Sequence, residues 1–144
     1  KVYVIDDAEL ERVKAGYPCV WKDLNAAPKL CFVGCPHLTL GQLQSWTERI
    51  EKSLADHGKR KVTVPTVFTA APAPNQEFQK TPYAKRLERT GVILSYICPL
   101  MYMNNPLSGK MPVITCSNKL RTYTTARYYT EDEILSQITG GAGK

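Results

Sequence analysis

Histidine is scarce in this chain, with only His37 and His57 in 144 residues. A conventional zinc hydrolase site, which gathers several histidines on one ion, is therefore poorly supplied. There is no Cys-x-x-Cys, so a local zinc knuckle is excluded. No Gly-x-Gly-x-x-Gly follows a strand-like run, which leaves dinucleotide binding unsupported. The phosphate-binding P-loop and the Gly-x-Ser-x-Gly elbow of serine hydrolases are also missing. No apolar run is long enough to cross a membrane, and no signal peptide is visible. There are five cysteines (Cys19, Cys31, Cys35, Cys98 and Cys116), an odd number. That argues against a disulfide framework and for a reducing, cytoplasmic setting.

What is present describes a globular protein. Hydrophobic residues make up 43% and charged residues 22% of the chain, enough to build one domain with a real core. The formal net charge of +6 admits an anionic ligand or nucleic acid as a partner. The basic residues are dispersed, however, with only Lys59-Arg60-Lys61 contiguous, and no nucleic-acid motif is recognisable. An ordinary basic surface is the simpler account. Residue 1 is Lys and leads straight into a strand-like run, so an excised domain, residues 1–144, of a larger chain is expected.

Two stretches share one form. Leu30-Cys31-Phe32-Val33-Gly34-Cys35-Pro36 and Val92-Ile93-Leu94-Ser95-Tyr96-Ile97-Cys98-Pro99 are apolar runs closed by Cys-Pro. Short apolar runs bounded by Gly or Pro suit buried strands. Proline restricts the residue before it to extended geometry and removes the next backbone donor. Each thiol is therefore expected where its strand stops, and the carboxyl edge of an open α/β sheet is where ligands bind.

The rest of the chain alternates strand and helix signals. Val2-Tyr3-Val4-Ile5 predicts a strand, and Asp6 or Asp7 caps a short helix ending at Gly16. Trp21 is expected to pin the irregular stretch 17–28 to the core. Thr39 with Gln42 forms a capping box, Leu38 and Leu43 a hydrophobic staple, and Leu40, Leu43, Trp46, Ile50 and Leu54 an apolar stripe. Residues 62–68 predict a strand that Pro65 assigns to an edge or a bulge. Residues 70–75 read as a loop, Thr81-Pro82 as a helix start, and 113–115 as a strand. Ser117 or Asn118 caps a helix, Thr130 with Glu133 forms a second capping box, and Gly140, Gly141 and Gly143 make a flexible tail. Such alternation predicts a three-layer α/β/α domain around a mostly parallel sheet.

Cys35 and Cys98 are candidate iron or iron–sulfur ligands, since thiolates hold such clusters. Two inert buried thiols account for the same residues, and on composition alone this is the better account. His37 is a candidate metal ligand or proton carrier, or a plain loop residue. Ser117 and Lys119 lie where a strand meets a helix N-terminus, which favours an anion but also describes a simple cap. Cys116 is a candidate further ligand or a small core residue, and Tyr128-Tyr129 reads as packing.

Three segments together resemble a known family. Gly34-Cys35-Pro36-His37-Leu38-Thr39 resembles the Gly-Cys-Pro-His-Leu-Ser signature of aconitase X. Cys98-Pro99 is similar to that family's Asp-Thr-Cys-Pro strand end. Thr115-Cys116-Ser117-Asn118-Lys119 followed by Tyr123 is similar to its Thr-Asn-Ser-x-Lys-x-x-x-Tyr segment. The resemblance implies a Rossmann-like, aconitase-domain-like fold. It also implies a hydro-lyase that dehydrates a small hydroxy acid such as cis-3-hydroxy-L-proline or mevalonate 5-phosphate. An iron–sulfur cluster or a single iron would be the cofactor, with Cys35 and Cys98 as metal ligands. Ser117 and Lys119 would be catalytic residues contacting the substrate carboxylate or phosphate, and His37 a further substrate contact. The departures are Tyr96-Ile97 for Asp-Thr, Cys116 for Asn and Thr122 for His. The family's Cys-Thr-Pro-Tyr segment does not occur in this sequence. Such a domain would be inactive alone and would need the remaining catalytic segments and a swivelling domain or small subunit. A non-catalytic α/β module binding a small anion or a protein partner is the alternative, and a redox sensor using Cys98 and Cys116 is a third reading.

Overall fold

The structure is a computed structural model and describes residues 2–140. Five strands, β1 (Leu30–Leu38), β2 (Thr66–Ala70), β3 (Ile93–Ser95), β4 (Val113–Thr115) and β5 (Arg127–Tyr128), form one sheet in the order β3-β2-β1-β4-β5. Every neighbouring pair is parallel. The chain steps outward from β1 to β3, then crosses back and lays β4 and β5 on the other side of β1. The order therefore reverses between β1 and β4, where α/β sheets of this type open a crevice at their carboxyl edge.

Helices cover both faces, as a buried parallel sheet requires. Successive residues of β1 point to opposite sides. Cys31 and Val33 join a core with Leu43, Trp46, Ile50 and Leu54 of α2 (Leu40–Asp56). That core also holds Phe78 of α3 (Pro72–Gln79), Leu87 of α4 (Pro82–Arg89), and Ile134 and Ile138 of α7 (Glu131–Thr139). Phe32 faces the other way, and so does Cys35, because the alternation breaks at Gly34 (φ 111°), where the ladder with β2 shifts register. They pack with Met103 of α5 (Pro99–Met103) and Leu120 of α6 (Asn118–Tyr123). The second face is thinner, because its two helices have five and six residues.

Several local readings hold. Thr39 and Thr130 each make a capping box with the residue three further on, and Leu38 and Leu43 are buried in one cluster. The Trp21 indole N–H donates to the Thr125 carbonyl at 2.9 Å, anchoring the irregular stretch. Asp6 caps α1 (Asp7–Ala15) through the Glu9 amide.

Others are corrected. Residues 2–5 have no regular secondary structure and belong to none of the five strands, and their side chains are 69–93% exposed. Strand propensity needs a neighbouring strand to be realised, and the described residues provide none. Residues 70–75 are not all loop, for α3 starts at Pro72. Pro72 and Pro74 both fall in the first turn, where the amide they lack has no intrahelical partner anyway. β2 is an interior strand that begins after Pro65, and the Pro65 carbonyl accepts from the Cys31 amide at 2.8 Å. β3 stops at Ser95, three residues short of Cys98. β1 does not stop at Cys35. Its regular ladder with β2 ends at Val33, the register shifts, and pairing resumes at Leu38. The short strand β5 was not expected. Gly140 caps α7 in the left-handed conformation (φ 82°), while Gly141 and Gly143 lie outside the described residues.

Candidate functional site

At the carboxyl edge, the ends of β1 and β4 are tied together. Gly34 has φ 111°, a conformation side chains resist, and its α-carbon lies against β2. A β-carbon there would stand 2.7 Å from the Thr69 hydroxyl and 3.0 Å from the Thr69 amide nitrogen. In the observed arrangement the Thr69 hydroxyl donates to the Gly34 carbonyl at 2.6 Å. This close fit delivers Cys35 to the edge, followed by a cis peptide to Pro36.

β4 ends at Thr115, whose hydroxyl accepts from the Ser117 amide at 3.1 Å. Ser117 then caps α6. Its hydroxyl accepts from the Leu120 amide at 3.0 Å and donates its proton to the Cys35 carbonyl. Ser117 is 5% exposed, and the bond to Cys35 closes the crevice where the strand order reverses.

Cys98 reaches the same edge by another route. It is the N-cap of α5, with Pro99 as the first helical residue. Besides the buried Met103, two contacts of Tyr102 hold α5. The Tyr102 hydroxyl shares a 3.0 Å hydrogen bond with Ser95 at the end of β3, and the Tyr102 ring stacks on Phe32 of β1 at 5.5 Å. Cys35 thus lies in β1 just past the end of its regular ladder with β2 at Val33, and Cys98 lies three residues past the end of β3. β2 lies between β1 and β3, which sets the two strands roughly 10 Å apart.

The four other candidates occupy different surroundings. His37 and Lys119 are exposed, at the end of β1 and in the first turn of α6. Cys116 is half-buried against the α2 face, and burial with the nearby Glu131 carboxylate pushes its thiol up to about 11. At neutral pH almost none of it is thiolate, which removes the main requirement of a redox-sensing cysteine. Tyr128 packs edge-on against Tyr17 at 5.4 Å, as a structural residue does. Burial raises the Cys31 thiol well above its ordinary value too, so it is an inert core group.

The donor chemistry decides how well iron fits this chain. Cys35 is buried among Phe32, Met103, Val113, Leu120 and Ala126, and Cys98 is half-buried. Among the described residues, no group of three or more His, Cys, Asp or Glu stands close enough to hold a metal ion. The described residues therefore fit, at most, two positions of an iron site and not a complete one.

One feature of this region escaped the sequence reading although it is visible in the sequence. Residues 90–130 contain no Asp or Glu, but hold Lys110, Lys119, Arg121 and Arg127. The segment running from β3 through α6, which builds the thinner face and half of the carboxyl edge, is purely cationic.

These features define the class: a Rossmann-ordered α/β domain with an all-parallel sheet. No family model matches the sequence, and no curated protein matches it. Among solved structures, the holo-form of aconitase X from Thermococcus kodakaraensis matches 93% of this chain with a TM-score of 0.71 and 18% identity. The chain spans 33% of that protein's length. At this identity the likeness establishes an aconitase X-like fold. No helix among the described residues is long and apolar enough to cross a membrane.

Proposed function

We propose that this chain is one α/β domain of a larger iron-dependent hydro-lyase of the aconitase X type. The observation that carries the reading is the arrival of two Cys-Pro segments, 63 positions apart, at one edge of one parallel sheet. The fold likeness to aconitase X supports it, as does the match to only a third of that chain.

In this reading Cys35 and Cys98 are thiolate ligands, and the remaining ligands come from segments outside this sequence. An iron–sulfur cluster or single iron would supply a Lewis acid for the departing substrate hydroxyl. Lys119, exposed and without a charged partner among the described residues, draws in the carboxylate or phosphate of a small hydroxy acid. His37, exposed near the end of β1, is the second substrate contact. Ser117 acts by position, because its one proton is already given to the Cys35 carbonyl. It fixes the end of β1 against the start of α6, so Cys35 and Lys119 keep a constant relation. The isolated domain is inactive, since a swivelling domain or small subunit must complete the site.

Iron and sulfide analysis of the anaerobically purified full-length parent protein tests this. Cys35→Ala and Cys98→Ala should each lower the iron content, while Cys19→Ala should not. Unchanged iron in both variants would overturn the ligand assignment. The alternative, a non-catalytic module binding a small anion, is favoured by the incomplete donor set and the cationic stretch 90–130. It is distinguished by anion binding that survives both cysteine substitutions in an iron-free parent.

A further inference from the structure

A cleft of about 640 Å³ opens between α5 and α6 on the thinner face of the sheet. Its size lies within the range of about 300–1,000 Å³ usual for small-molecule sites. Cys35, His37, Cys98, Ser117 and Lys119 do not line it, so it is separate from the site described above. Leu100, Met101 and Met103 make one wall and Tyr123 stands on the other. Met101 is 66% exposed and Tyr123 71% exposed, so two large apolar groups are left in water at the mouth.

The polar lining is specific in what it lacks. Among the described residues, no side chain lining the cleft is charged. The three threonines at the α6 end have spent their protons: Thr122 donates to the Asn118 carbonyl at 2.8 Å and Thr124 to the Leu120 carbonyl at 2.6 Å. Thr125 donates to the Gly109 carbonyl at 3.0 Å. Asn104, the C-cap of α5, and the Tyr123 phenol make no side-chain hydrogen bond to any described residue. Among the described residues they are the two side chains on this cleft with an uncommitted donor to offer a guest, while the threonine oxygens can only accept.

We propose that the cleft binds a neutral, partly apolar molecule of phenol or indole size. Its ring lies against the Met101 and Met103 thioethers, which favour aromatic edges, and against the Tyr123 ring. Its polar atom pairs with Asn104 or Tyr123. A charged guest is selected against, because its charge would lose water with no opposite charge to meet it. The ligand class is thus the opposite of the small anion expected at the carboxyl edge, and the proposal stands whether or not the dehydratase reading does.

The test is a titration of this 144-residue chain with indole, 4-methylphenol and benzoate, followed by backbone amide chemical shifts. Indole and 4-methylphenol should give saturable shifts centred on residues 100–104 and 122–125, and benzoate should bind at least tenfold more weakly. Met101→Glu, at an exposed position that leaves the fold intact, should weaken indole at least tenfold, and Asn104→Ala several-fold. Shifts that never saturate, that centre elsewhere, or that persist in Met101→Glu would overturn the proposal, as would benzoate binding as well as indole.

Discussion

The Ser117 hydroxyl donates to the Cys35 carbonyl across 82 residues of sequence, joining the ends of the two strands where the sheet order reverses. The same oxygen accepts from the Leu120 amide and so caps α6. One buried atom therefore closes the crevice, starts a helix and holds the backbone of a candidate ligand.

Ser117→Ala should remove the cap and leave the Cys35 carbonyl without a partner. The cap is worth about 1 kcal/mol and the unsatisfied buried group about 1–3 kcal/mol, so a loss of roughly 2–3 kcal/mol is expected. Urea unfolding of the variant measures it. A loss below about 0.5 kcal/mol, the size of an ordinary surface change, would mean the bond carries no weight.

Gly34→Ala should be worse tolerated than any other glycine substitution in an element interior. The new methyl group would be pressed into β2 at Thr69 while φ stays at 111°. Strain of about 1–3 kcal/mol for the backbone and a similar clash term are expected. Gly41→Ala is the control. It lies in α2 with nothing within 4 Å of its added carbon, and should be neutral or stabilising by up to about 1 kcal/mol. Equal melting temperatures for the two variants would refute the packing argument.

Tyr102→Phe keeps the stack on Phe32 but loses the bond to Ser95, and should cost about 1 kcal/mol. Tyr102→Ala loses both and should cost about 3–5 kcal/mol. Alkylation of Cys98 at fixed pH provides a second readout. If Tyr102 fixes α5, Cys98 should react faster in Tyr102→Ala than in the parent, and an unchanged rate would argue that α5 is held some other way.

Cys116 gives a pH prediction with a definite sign. Its thiol titrates at about 11 in the folded chain against about 9 unfolded. Below pH 9 both states keep the proton and stability does not depend on it. Between about 9 and 11 the unfolded state loses protons first, so the folded state loses up to about 2–3 kcal/mol over that window. Cys116→Ala removes this component. The difference in unfolding free energy between parent and variant should narrow or reverse as pH rises from 8 to 10.5, and a constant difference would contradict the burial-driven shift.

Much of the framework could be read locally. The capping boxes at Thr39 and Thr130 each depend on side chains three residues apart, and the α2 stripe on a period of 3.6, so no distant contact is needed to see them. The alternation of strand and helix carried the all-parallel, two-faced sheet for the same reason. Residues 2–5 show where local reading fails: four strand-forming residues make no strand because no other strand among the described residues lies beside them. Pro65 failed likewise, since whether a strand is central depends on what pairs with it.

By itself the sequence determined which thiols end apolar runs, which residues start helices, and that carboxylates are missing from 90–130. These are properties of neighbours along the chain, governed by backbone geometry and charge. Only the tertiary structure decided that β1 and β4 lie side by side, that Ser117 spends its proton on Cys35, and that α5 and α6 leave a neutral cleft between them. Each of those joins groups far apart in sequence. Which partner a hydrogen-bonding or apolar group meets is settled by the packing of the whole domain, not by the residues next to it.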